Sequence, residues 1–116
     1  MIAVIFELWA PGDRKQHYFD IARTLGAELT GMDGFVSVER FQSVADPDKY
    51  LSLSFWRDEE AVKRWRNRTS HRSAQARGRS GVLDDYRLRV AAVLRDYGMT
   101  ERGEAPPDSR AAHDAR

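Results

Sequence analysis

Residues 51–71 read LSLSFWRDEEAVKRWRNRTSH and hold the chain's densest set of side chains able to do chemistry. Trp56 and Trp65 stand nine residues apart, and His71 follows six further on. An imidazole with an ordinary pKa near 6.5 can move protons at neutral pH, which makes His71 a candidate base. Trp56, Trp65, Phe6, Phe41 and Phe55 offer flat apolar walls for a ring-bearing ligand, and Arg40, Arg72 or Arg87 can pair with an oxyanion. Glu7 and Glu39 are mid-strand acids. Facing a pocket, either has its pKa raised and becomes a candidate base; facing an arginine on the next strand, it is only a cross-strand pair.

Each of these residues also has a plainer reading. Trp65 shares helical spacing with Val62 and Thr69, the mark of a core position. Trp56 closes a strand and can serve as a lid or a dimer contact. His71, in a Thr-Ser-His segment, can cap a turn or face solvent. His17 lies beside a helix start and His113 in the polar tail, so neither is a candidate.

Composition removes several classes of function. There is no cysteine among the 116 residues, which excludes disulfides, thiolate metal sites and a cysteine nucleophile; the lack fits a cytoplasmic location. No His-x-His pair and no histidine with carboxylates at i, i+4 is present, so no metal site is expected. No glycine-rich loop follows a strand, which leaves nucleotide, flavin and nicotinamide binding without support. A net charge of +1 favours neither nucleic acid nor a membrane surface, and no apolar run is long enough to span a bilayer. From Lys63 to Arg79 there are seven basic residues and no acid, preceded by Asp58, Glu59 and Glu60. That polarity suits a helix dipole and a solvated face, or a basic face for phosphate or carboxylate groups.

These residues must be held by the surrounding elements. Ile2–Trp9 reads as a strand apolar on both faces except at Glu7. Asp13 is placed to cap a helix running from Arg14 to about Leu29, with Tyr18, Ile21, Ala22, Leu25 and Leu29 as its buried stripe. FVSVERFQ (35–42) alternates, with Phe35, Ser37, Glu39 and Phe41 on one face and Val36, Val38 and Arg40 on the other. LSLSFW (51–56) sets Leu51, Leu53 and Phe55 opposite Ser52, Ser54 and Trp56. A second helix opens at Asp58, is interrupted near 67–70, and ends at the glycines of GRSG (78–81). Asp85–Val93 is the last strand, with Tyr86, Leu88, Val90 and Ala92 on one side. After about Met99 the chain has no large apolar residue, and the tail, residues 99–116, is expected to be disordered or loosely docked. The order is β-α-β-β-α-β: an α+β, ferredoxin-like domain over residues 1–98, with a four-stranded antiparallel sheet and two helices on one face. The open sheet face carries apolar residues as well, so a homodimer through that face is expected.

The opening IAVIFELW, the strand GFVSVERFQS after a DG turn, LSLSFWRDEEAVKRW, the following His71 and the late YRLRV together resemble the antibiotic biosynthesis monooxygenase family, of the dimeric α+β barrel group. The resemblance covers residues 1 to about 98. It implies a small cofactor-independent monooxygenase acting on an aromatic or quinone-like, polyketide-type substrate with dioxygen. The haem-degrading members of the family imply haem as an alternative cofactor, and a non-catalytic ligand-binding or structural dimer is a further alternative. Against the haem-degrading pattern the chain keeps Trp65 but has Glu7 at the first-strand Asn and Gln75 at the iron ligand. Against the anthrone oxygenases it keeps Trp56, with Ser52 and Val62 where they have Asn and Tyr. The residues so implied are His71 and Glu7 as catalytic, with Trp56, Trp65, Phe6, Phe41, Phe55 and Arg40 around the substrate.

Overall fold

A computed structural model describes residues 1–114, without the side chains of residues 69, 70, 77, 78 and 80. The elements run β1 (Ile2–Trp9), α1 (Lys15–Leu29), β2 (Phe35–Gln42), β3 (Lys49–Trp56), α2 (Glu59–Arg66), α3 (Thr69–Arg77), β4 (Asp85–Ala92) and α4 (Pro107–His113). The sheet is antiparallel with order β2-β3-β1-β4. The expected ferredoxin-like order is therefore present. The interruption expected near 67–70 is the break between α2 and α3.

Strand alternation assigns every side chain to a face. Ile2, Val4, Phe6 and Leu8 of β1 meet the helices, as do Tyr50 and Trp56 of β3. Leu8, Ala10, Tyr18, Ala22, Tyr50 and Val82 form one core cluster; Leu29, Trp56, Ala61, Val62 and Trp65 form the other. Ala3, Ile5 and Glu7 of β1, with Leu51, Leu53 and Phe55 of β3, fall on the opposite, open face.

Two local expectations need correction. A bulge between Phe35 and Ser37 shifts the β2 register, so Phe35 packs on the helix side with Val38, while Ser37, Glu39 and Phe41 point to the open face. Asp13 does not cap α1: Arg14 occupies that position without a side-chain cap bond, and its guanidinium instead donates to the Gly81 carbonyl and to Asp84. The tail, for which disorder or loose docking is the expectation, carries the short helix α4, with Ala105 buried beside it. Thr69, expected on the inner helix face, has its side chain outside the described set.

Three contacts build the corner where α2 leaves the sheet. Asp58 Oδ1 accepts from the Ala61 amide at 2.9 Å, satisfying one of the orphan donors of the first turn. Gly34 has φ +84°, and a Cβ there would meet the Ala61 methyl at 2.6 Å. Glycine thus supplies both the left-handed turn and the close approach of helix to hairpin. Arg57 ties the same corner to Asp33 with two bonds of 3.0 and 2.9 Å.

Candidate active site

Four ring systems stand in sequence from the sheet outward at the α2–α3 corner. Phe35 meets Trp56 edge-on, with centroids 5.4 Å apart. Trp56 stacks on Trp65 at 6.4 Å, and Trp65 stacks on His71 at 4.9 Å with 20° between the rings. Trp56 is only 1% exposed and its indole N–H donates to Ser54 Oγ at 2.9 Å, so its one polar atom is paired inside the core. Trp65 comes from the inner face of α2 and His71 from the first turns of α3, so the break between the helices brings His71 back over the Trp65 ring.

His71 is half-buried, and its Nδ1 is buried with no described partner. Burial pushes the imidazole below its ordinary value, outweighing the carbonyls of Arg66 and Trp65, which favour the charged ring. At neutral pH the ring is therefore neutral and holds an open acceptor lone pair if the proton sits on Nε2.

Next to this stack the sheet is uncovered. Leu88 and Val90 lie on the helix side of β4, yet are 48% and 42% exposed. Tyr86 continues that wall, with its ring 5.7 Å from Phe6 and its hydroxyl accepting from Arg79 at 2.8 Å. Between α2 and β4 runs a groove of about 230 Å³ lined by Glu59, Glu60, Val62, Lys63, Arg66 and Val90. Val62 belongs to the Trp56–Trp65 cluster, so the groove borders the ring stack. The sequence shows Tyr86, Leu88 and Val90 as one strand face; what alternation does not show is that two helices are too narrow to cover the fourth strand.

The residues singled out from sequence divide three ways. His71, Trp65 and Trp56 come together, with Phe6 on the same face of the sheet. Glu7, Phe41 and Phe55 lie on the open face. There Glu7 is held by Arg89 at 3.1 Å and Lys49 at 3.5 Å, the cross-strand pairing that was the plainer reading of this acid. Arg40 lies under α1, reaching the Ala22 carbonyl at 3.5 Å and the Tyr18 hydroxyl, with its Nε buried and without a described partner. Gln75, at the position of the haem ligand, accepts from Arg72 through its side-chain oxygen. Among the described residues, no three of His, Asp and Glu stand close enough to hold a metal ion.

Residues 1–77 match the family described as Antibiotic biosynthesis monooxygenase. The chain belongs to this family. Within it, the chain is 47% identical over 101 residues to a protein of Pyricularia oryzae named jasmonate monooxygenase ABM, a match covering 87% of this chain and 47% of that protein. The chain thus spans about half the length of that relative. An uncharacterized Bacillus subtilis protein, YqjZ, is 32% identical over 80% of this chain and 79% of its own length. Among solved structures, a variant of SnoaB, a cofactor-independent oxygenase from Streptomyces nogalater, superposes with a TM-score of 0.71 at 13% identity. That match covers 82% of this chain and 94% of SnoaB and shows the shared fold. The monooxygenase family and the ferredoxin-like fold are thereby established, and no described helix is long and apolar enough to cross a membrane.

Proposed function

We propose that this member of the antibiotic biosynthesis monooxygenase family is a cofactor-independent oxygenase whose substrate enters the α2–β4 groove and presents an acidic C–H or O–H group to His71. The observation that carries this reading is the buried, unpartnered Nδ1 of His71, held flat on Trp65, whose cluster neighbour Val62 lines the groove. A neutral imidazole there takes the proton and becomes the imidazolium. The resulting phenolate or enolate of an aromatic, quinone-like substrate is electron-rich enough to reduce dioxygen itself. In the net reaction a substrate methylene becomes a carbonyl. Four electrons and two hydrogens leave the substrate, one oxygen atom enters it, and the other departs as water, so no external reductant is needed.

A second reading of the substrate is favoured by the 47% identity with the protein named for jasmonate, which makes a jasmonate-like molecule the other candidate for the same groove. The catalytic unit in either case is a homodimer joined through the open sheet face, since Leu51, Leu53, Phe55 and Ile5 have no helix over them. Oxygen uptake with a dihydroxyanthrone and with jasmonate, using 18O-labelled dioxygen and mass analysis of the product, tests the reading. One labelled oxygen in the product from the anthrone supports the aromatic assignment, and labelling of jasmonate alone supports the second. A stoichiometric Soret shift with haemin and no uptake with either compound overturns both.

A further inference from the structure

Proton transfer at His71 makes no use of the basic run from Lys63 to Arg79. Four of its seven cations are occupied within the chain. Arg64 pairs with Asp33 at 3.5 Å and Arg68 with Glu28 at 3.4 Å. Arg72 donates to Asn67 and Gln75, and Arg79 to the Tyr86 hydroxyl. The side chain of Arg77 lies outside the described set. Lys63 and Arg66 remain. Both are exposed, and neither has an ion pair among the described residues. A run that served only as a solvated face would scatter such charges around the helices. Here both stand at one place, the wall of the α2–β4 groove.

That groove is amphipathic. Glu59, Lys63 and Arg66 stand at i, i+4 and i+7, so with Val62 they share the stripe of α2 that lines it. Opposite them Val90 supplies an apolar wall, which Leu88 and Tyr86 continue along the same side of β4. Charge is graded along the stripe. Glu59 and Glu60 occupy the first turn of α2, and Lys63 and Arg66 the last, the order that the helix dipole favours. The cationic end is therefore the one that runs into the α2–α3 break, which returns His71 over Trp65.

We propose that Lys63 and Arg66 clamp a carboxylate, so that the substrate of this groove is an amphipathic monocarboxylic acid. Its apolar body lies on Val62 and Val90, and its charged end sits at the last turn of α2. The inference rests on the reading of this groove as the substrate's entry and narrows that substrate to acids. Arg66 offers a forked donor that matches both carboxylate oxygens, and Lys63 a point charge one turn away. Two cations and two glutamates leave the groove lining without formal net charge. One negative charge suits it, whereas a phosphate dianion meets stronger repulsion from Glu59 and Glu60. Held by one end, the substrate turns the same face to His71 at every turnover, so the pair acts by positioning. The three arginines offered by sequence for an anion are placed elsewhere. Arg40 lies under α1, Arg72 is bonded to Asn67 and Gln75, and Arg87 stands beside Glu7 on the open face.

Acids and their methyl esters separate a carboxylate clamp from plain apolar binding. The 15N-labelled native chain and a Lys63→Gln/Arg66→Gln chain are titrated with 2-naphthoate, jasmonate and the methyl ester of each, following backbone amide shifts. Both positions are exposed and glutamine keeps the helix propensity, so the variant is expected to fold. In the native chain the acids should bind about tenfold more tightly than their esters, with shifts in residues 59–66 and 86–92. That gap should close in the variant. With an acid that is turned over, the variant should raise KM more than it lowers kcat. Equal affinity of acid and ester for the native chain overturns the clamp, and so does failure of either acid to bind. An acid preference that survives in the variant, or tighter binding of naphthyl phosphate than of naphthoate, also overturns it. The groove is judged apart, by Val90→Arg. If that change abolishes anthrone turnover while acid and ester bind alike, the groove stands and the clamp falls; turnover and binding untouched by it overturn both.

Discussion

On the helix-covered face of the sheet, Trp56 is enclosed between Phe35 and Trp65, and His71 lies stacked beyond them. On the open face, Phe55, Leu53 and Leu51 lie half-buried near Glu7, whose carboxylate is held by Lys49 and Arg89. Both faces combine aromatic rings with an ionisable group, but the groups are left in opposite states. Glu7 already has two cationic partners. His71 has a buried nitrogen with none, and burial holds it neutral. The difference separates an ion-paired carboxylate on the open face from an unpaired imidazole on the covered one.

The largest expected effect lies in packing. Trp56→Ala removes a ring filled on both sides and should cost about 3–5 kcal/mol in denaturant unfolding, whereas Phe55→Ala, measured in dilute monomer, should cost about 1–2 kcal/mol because its ring is only half-buried. Equal costs would mean that the open face is packed as tightly as the covered one. Next, Val90→Arg places a charged side chain in the groove and should lower kcat/KM by about tenfold or more with little change in stability. The corresponding change on the open face, Leu53→Arg, should leave kcat/KM per folded site nearly intact in any dimer that persists and instead shift sedimentation toward monomer.

Acid sharpens the contrast further. Because burial lowers the folded pKa of His71, the unfolded chain binds the proton more readily. Its contribution is therefore intact above the unfolded pKa near 6.5, and stability falls as pH drops through that value toward the folded pKa. Denaturation midpoints of the native chain and His71→Gln should converge between pH 8 and 7 in slope and separate below about pH 6.5, with the native chain losing more. The smallest effect belongs to Glu7→Gln, a partly exposed pair that should change stability by about 0–1 kcal/mol.

Much of this arrangement could be read before any coordinates. The alternation of LSLSFW placed Trp56 opposite Phe55 correctly, and the Asn-Arg-Thr-Ser run marked the α2–α3 break that folds His71 over Trp65. What alternation cannot supply is which face the helices take. β1 is apolar on both sides, so Glu7 could be imagined beside His71 until strand pairing placed it with Lys49 and Arg89. The β2 bulge was hidden for a related reason: one extra residue reverses the face of Phe35 without altering the polar-apolar pattern after it. Beyond Met99 the tail lacks large apolar residues, which argues against a core of its own. Its helix and its arginine bonds, Arg102 to Asp114 and Arg110 to Ala105, depend on contacts five to twelve residues apart that composition does not register.

The central claim is that chemistry belongs to the helix-covered face and depends on His71. The most direct measurement is steady-state oxygen uptake, with whichever of dihydroxyanthrone or jasmonate is turned over, by the native chain, His71→Ala and Glu7→Gln at pH 7.5. The account predicts a loss of about 10²–10⁴-fold in kcat for His71→Ala, the range for removing a general base, and near-native turnover for Glu7→Gln. Native turnover by a folded His71→Ala, with activity lost in Glu7→Gln, would contradict it and move the chemistry to the open face.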